Sequence, residues 1–257
     1  MTDTTDTSTD PQTQAHQDKA NPPPIDWAKY KREPAPIVLS LFDLTGKFVQ
    51  PWHDAGYECW CVDIQHPKGE TNVAEGDCAR EDFVFVGADL RSWIPPRHII
   101  DRVKFVASFS PCDDAAVSGA RWFKDEKRGK GLRGLAQSIE LFAIGRDWIN
   151  WFGVPGFCEH PVSTISTYYR KADYKFHPHD YTGYCEDDNY TKETHIWGYN
   201  GFVMPPAKRA LMLEAPDDRI HKAPPGPDRK NFRSATPMGF SEAAFLSNAP
   251  HLREKAA

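Results

Sequence analysis

The sequence predicts an α/β fold, a mostly parallel sheet with helices on both faces, and three observations predict it. Short apolar runs recur from residue 36 onward, separated by longer mixed segments. One of those segments carries Leu132, Leu135, Ile139, Phe142 and Ile149 at helical spacing. Strands that alternate with helical segments need crossover connections, which cover both faces of a parallel sheet.

The elements follow in order. Residues 1–24 are rich in Thr, Asp, Gln and Pro and nearly free of aliphatic side chains, so burial cannot offset their ordering entropy and a disordered acidic tail is expected. Residues 37–42, 59–64, 83–86, 103–109 and 157–159 read as strands, with 194–199 as a weaker sixth. The Leu132 to Ile149 pattern places a helix between the fourth and fifth. Residues 204–230 hold six prolines and few apolar residues and read as an extended excursion, followed by a short helix at 240–246. The expected division is a tail at 1–24, a main domain at 25–203, the excursion at 204–231 and a returning C-terminal helix at 232–257.

Composition narrows the function classes. A chain of 257 residues, 40% hydrophobic, supports one substantial core, and a net charge of −5 rules out a surface coated in basic residues. Any contact with nucleic acid must be local. No apolar run is long enough to span a membrane, and the polar, acidic start is unlike a signal peptide, so no membrane partner and a cytoplasmic location are expected. Six cysteines without a Cys-x-x-Cys pair fit reduced thiols better than a disulfide framework or a metal site.

The polar residues gather at predicted strand ends. Phe42-Asp43-Leu44-Thr45-Gly46-Lys47 follows the first strand, with Gly46 able to let a ligand approach the backbone. Asp63 ends the second, at the spacing from which an acid accepts ribose hydroxyls, and Asp89 follows the third. Ser110-Pro111-Cys112-Asp113 stands where the fourth strand stops, a turn that can present a thiol at the sheet edge. Glu159 closes the fifth. Between Cys112 and the helix, Arg121, Lys124, Lys127, Arg128, Lys130 and Arg133 alternate with glycines beside Trp122 and Phe123, which suits phosphate contact.

In this order the Leu39-to-Gly46 segment, Val62-Asp63-Ile64, Asp89, Ser110-Pro111-Cys112-Asp113 and Cys158-Glu159-His160-Pro161 resemble the C5-cytosine DNA methyltransferase family, most closely its compact bacteriophage-encoded members. The resemblance implies a Rossmann-like class I S-adenosylmethionine-dependent methyltransferase fold, with 25–203 as the catalytic domain. It implies S-adenosyl-L-methionine as cofactor, held by Phe42, Thr45, Gly46, Asp63 at the ribose, Asp89 by the adenine, Ser110 and Pro111. Ser234, Thr236 and Gly239 match a closing cofactor motif. Cys112 is then the nucleophile and Glu159 the residue that grips the base. The implied partner is DNA, double-stranded with an extruded cytosine or single-stranded, contacted by Arg121, Lys127, Arg128, Lys130 and Lys192, the protein acting as a monomer.

The chemistry requires these residue types. Cytosine C5 is a poor nucleophile until a thiolate adds to C6, and a carboxyl group at N3 steadies the charge that develops. Because C6 is hidden in a stacked duplex, the base must be extruded or already unpaired. The sequence departs from the family in Asp113, where Gln is usual, in Glu159-His160-Pro161, where Glu-Asn-Val is usual, and in Leu44, which replaces a glycine. Only 204–231 lies where the family carries a target-recognition domain, so low target selectivity is expected. Three other readings remain open: an amino-methyltransferase built on a degenerate Ser-Pro-Cys-Asp, a nucleic-acid binder without activity, and zinc deamination through His177, His179 and Cys185. The same C5 chemistry on RNA, or with a variant sulfonium donor, is a further alternative.

Overall fold

The computed structural model describes residues 34–71, 83–117, 131–222, 224 and 229–249. Within Ala35–Ala257, which forms one compact unit, seven strands make a single sheet: β1 Ile37–Leu41, β2 Glu58–Thr71, β3 Phe83–Gly87, β4 Val103–Ser108, β5 Gly156–Pro161, β6 Tyr174–Phe176 and β7 Thr194–Tyr199. Their order is β3-β2-β1-β4-β5-β7-β6. β1 pairs in parallel with β2 and β4, and β4 with β5, whereas β7 runs antiparallel between β5 and β6. This is a Rossmann-like arrangement. Strand order reverses between β1 and β4, the point at which open α/β sheets collect ligands beyond the carboxyl ends of their strands.

Alternation along the strands divides the core into two. Val38, Cys59, Cys61, Phe83, Phe85, Phe105 and Phe157 face one side, where helices α1 (Gln50–Asp54) and α7 (Met238–Asn248) bring Trp52, Phe240 and Phe245. Ile37, Leu39, Leu41, Trp60, Val62, Val106 and Cys158 face the other, against Ile99 of α2 (Arg97–Ile100), Phe142 and Ile149 of α3 (Gly131–Phe152) and Ile165 of α4 (Ile165–Tyr168). All five residues of β1 are buried, as a strand covered on both faces requires.

Helix α3 is longer than its apolar pattern suggests, and it buries Phe142 and Ile149 of that pattern, with Ile139 packed against the same core. Gly131, Gly134, Ser138, Phe142, Gly145 and Ile149 point inward, whereas Leu132, expected in the core, is 79% exposed. Small residues let the helix approach the sheet closely, and that leaves Leu132 outside.

The predicted sixth strand is the seventh in the chain. β6, which precedes it, carries no hydropathy signal, since Tyr174 and Lys175 are exposed. The predicted second strand extends further, to Thr71, after a register break beyond Asp63. The predicted last helix is also longer, and its Gly239 amide donates a 2.6 Å hydrogen bond to the Asp188 carboxylate. In the excursion, α5 (Arg219–Lys222) and α6 (Arg229–Ser234) are helical. Among the described residues no helix is long and apolar enough to cross a membrane.

Candidate functional site

The turn after β1 is organised by Asp43, a residue to which the sequence reading gave no role. Its buried carboxylate accepts hydrogen bonds from the Ser40 hydroxyl at 2.7 Å, the Thr45 amide at 2.9 Å and the Gly46 amide at 2.8 Å. Gly46 has φ +65, and an added β-carbon would stand 3.0 Å from the Phe83 ring, so the position needs glycine. Phe42 precedes it at φ 58, a left-handed conformation that costs a bulky residue about 1–3 kcal/mol and persists where its surroundings fix it. The Phe42 amide is fixed on the Val62 carbonyl at 2.7 Å.

Asp63, at the break in β2, is buried. One carboxylate oxygen accepts from the Gln65 amide at 2.8 Å, and the other makes no hydrogen bond among the described residues. The chain then passes over the ends of the neighbouring strands. His66 Nε2 lies 3.0 Å from the Asp43 carbonyl, and the Pro67 carbonyl oxygen comes within 2.0 Å of where a Gly87 β-carbon would stand. Asp89 is differently placed. It forms a two-pronged ion pair with Arg91 and accepts the Arg91 amide at 3.0 Å, and these contacts hold its carboxyl below the usual range.

The cysteine turn leaves β4 beside the first turn, because the Phe109 amide donates to the Leu41 carbonyl at 3.0 Å. Ser110 is 4% exposed and its hydroxyl has no hydrogen-bond partner among the described residues. Cys112 is half-buried, and its carbonyl accepts from the amides of Ala115 and Ala116 at 3.2 and 3.0 Å. Ala116 then bridges to Ser163, with the Val117 amide on the Val162 carbonyl at 2.9 Å and the Thr164 amide on the Ala115 carbonyl at 3.0 Å. The loop carrying Cys112 is thereby laced to the segment that follows β5.

β5 supplies two titratable groups in succession. Burial pushes the Glu159 carboxyl above its ordinary range, with Lys192 and His195 acting against the shift. It makes no hydrogen bond among the described residues. His160, on the opposite face of the strand, is fully buried. Burial lowers its pKa to about 4, opposed by the carbonyls of Pro161 and Pro111. Several other polar atoms in this region are buried without a partner among the described residues: His160 Nε2, the Ser163 hydroxyl and His195 Nδ1. Native structures rarely leave such atoms unsatisfied, and an ordered water can complete them.

Lys192, expected to contact nucleic acid, lies near Glu159. Its ammonium donates to the Ala235 carbonyl at 3.3 Å and lies near enough to Glu159 to favour the carboxylate. Arg121, Lys127, Arg128 and Lys130 lie outside the described residues. Gly239 of the expected closing motif is buried, with its amide taken by Asp188. His177 and His179 stack at 5.1 Å, but among the described residues no group of three or more His, Cys, Asp or Glu side chains could hold a metal ion.

Comparison with protein-family models yields no match, and comparison with curated proteins yields none either.

Proposed function

We propose that the chain is an S-adenosylmethionine-dependent methyltransferase that acts at C5 of cytosine in DNA, through a covalent Cys112–C6 adduct on an extruded base, in the cytoplasm. The observations that carry this reading are a half-buried thiol, on a turn laced to the segment that follows β5, and the desolvated carboxyl of Glu159 near the end of that strand, which makes no hydrogen bond among the described residues. The reversed β7 between β5 and β6 supports it, since this strand order is that of the class I methyltransferase sheet.

The residues at the switch point fit the cofactor. The open oxygen of Asp63 suits a ribose hydroxyl, and the buried, unpartnered Ser110 hydroxyl is a further polar contact. Phe42, Thr45 and Gly46 would border it, while Asp89 would have to share its carboxylate with Arg91. When bound, the cofactor supplies an electrophilic sulfonium methyl group.

Cys112 as thiolate forms a bond to C6, and the electron pair of the C5–C6 double bond becomes available at C5. Burial raises the Glu159 pKa and so favours the protonated carboxyl, which donates toward N3 as negative charge develops there. Once C5 carries the methyl group, solvent water takes the C5 proton, that bond's electron pair re-forms the C5–C6 double bond, the Cys112–C6 bond breaks to return the thiolate, and N3 returns its proton to Glu159. Mass spectrometry of nucleosides from DNA treated with the protein and S-adenosylmethionine tests this reading. 5-Methylcytosine is the expected product, and a methyl group on an exocyclic nitrogen would overturn it.

A further inference from the structure

Two adjacent tyrosines stand exposed where α4 ends, Tyr168 at 64% and Tyr169 at 43%. Backbone hydrogen bonds join them to the Cys112 loop: the Thr164 amide donates to the Ala115 carbonyl at 3.0 Å, and the Tyr168 amide to the Thr164 carbonyl at 3.1 Å. α4 is a single turn, so Tyr168 stands roughly 6 Å along its axis from that bridge. The second ring is braced. Arg146 of α3 lies 5.6 Å from its centroid and Arg170 5.4 Å, and Arg170 lies equally close to the Tyr199 ring. A row of flat groups, two guanidiniums and two phenols, is thus built on the surface.

Cations border the row. Asp147 and Asp173 are taken up by Arg146 and Arg170, and Glu193 by His195. Lys171 and Lys175 are exposed and make no ion pair among the described residues. Lys175 pairs in register with His195, which places it on the sheet face of Trp197, and the Trp197 indole donates to the Arg170 carbonyl at 2.9 Å. Both lysines therefore flank the aromatic row, in a chain whose net charge is −5. Exposed rings call for a partner with flat apolar faces, and unpaired lysines call for a polyanion. An unpaired nucleic-acid strand combines the two, whereas a duplex hides its base faces by stacking.

We propose that the surface formed by Tyr168, Tyr169, Arg170, Lys171 and Lys175 is a platform for an unpaired strand of nucleic acid, with bases stacked on the two tyrosines and phosphates held by the two lysines. The proposal rests on the DNA reading above for its partner. The tie to the Cys112 loop suits nucleotides that neighbour an extruded base.

The test titrates the full chain, without cofactor, with labelled oligothymidine and with an abasic strand of equal length, read by fluorescence anisotropy. Oligothymidine contains no cytosine, so binding is scored apart from methyl transfer. It should bind at least about tenfold more tightly than the abasic strand, and Tyr168→Ala and Tyr169→Ala should each weaken it about tenfold, the scale for one stacked base, while the phenylalanine variants bind as the wild type does. Replacing Lys171 and Lys175 together by glutamine should lower the slope of log affinity against log salt by about 1.4. Tyr168→Ala and photo-crosslinking of a 5-iodouracil strand to the wild type, mapped by peptide mass spectrometry, decide the matter should Tyr169→Ala fail to fold. Equal affinity for the abasic strand, wild-type binding in the alanine variants, or crosslinks confined to other segments would overturn the proposal. So would displacement by polyglutamate as effective as by unlabelled oligothymidine, which would assign the face to an acidic protein. If tyrosine-dependent binding stands and no methyl group is transferred, the functional reading fails and the platform remains; if methyl transfer is intact and binding ignores the tyrosines, the platform alone fails.

Discussion

Gly145 of α3 lies so close to Ser108 at the end of β4 that a β-carbon on the glycine would stand 2.0 Å from the serine hydroxyl oxygen. The contact explains how the helix settles over the sheet edge that carries the cysteine turn. Gly145→Ala should therefore destabilise the fold by about 1–3 kcal/mol, because the overpacked neighbour has a short, buried side chain and the helix must shift. Urea unfolding checks this, and a Gly145→Ala/Ser108→Gly double variant should regain part of the loss.

Cys112→Ala should abolish methyl transfer while S-adenosylmethionine still binds, since the thiol acts on the base. DNA containing 5-fluorocytosine should capture the wild-type protein in an adduct that survives denaturation, because fluorine at C5 cannot leave as a proton. Gel electrophoresis reads the adduct, and calorimetry reads cofactor binding in the variant.

Glu159→Gln should lower kcat by about 100-fold or more, the range for loss of a positioned proton donor. The raised pKa of Glu159 gives the sign of the pH effect. The protonated form is the donor, so wild-type kcat should decline as pH rises through that value, and the glutamine variant should lack this limb. A pH–rate series on both proteins measures it.

His160 also predicts an acid sensitivity. Its folded pKa, about 4, lies below the ordinary histidine value, so its contribution to stability is complete above about pH 6.5 and is lost as pH falls toward 4. The loss from this residue is on the order of 3 kcal/mol. Glu159 acts in the opposite sense, because a carboxyl with a raised pKa disfavours the fold once it ionises. Denaturant midpoints between pH 7 and 4 should fall more steeply for the wild type than for His160→Asn.

Three cations of the excursion should matter little for DNA. Arg209 is paired with Asp180, Arg219 with Asp217 and Lys222 with Asp218, so their charge is largely answered within the fold. Replacing Arg209 and Arg219 by alanine should leave the salt dependence of DNA binding unchanged, whereas neutralising Lys127, Arg128 and Lys130 should flatten it. Fluorescence anisotropy across a salt series separates the two sets.

What the sequence made legible follows from what each element buries. β1 is buried throughout and β4 everywhere but at Lys104, so both appear as mainly apolar runs, and residues at their ends could be placed at one edge. β6 is three residues long with two exposed side chains, and its pairing with β7 leaves no local trace. Leu132 misled because α3 docks through Gly134, Ser138 and Gly145, whose small size is itself the contact and gives no hydropathy signal. Asp43 has a readable signal, the Asp-x-Thr-Gly spacing of a side-chain-capped turn. Lys192 could be located in the sequence, but the direction of its ammonium depends on Ala235, 43 positions away.

The reversed β7 sets a timetable for synthesis. β5 ends at Pro161 and its partner begins at Thr194, so 33 further residues must be added before that edge of the parallel sheet is closed. At about 5–20 residues per second a nascent chain on the ribosome waits a few seconds with the hydrogen-bonding groups of Gly156 to Pro161 open to any neighbouring strand. During that interval the strand that bears Glu159 and His160 has an edge that the finished sheet no longer exposes.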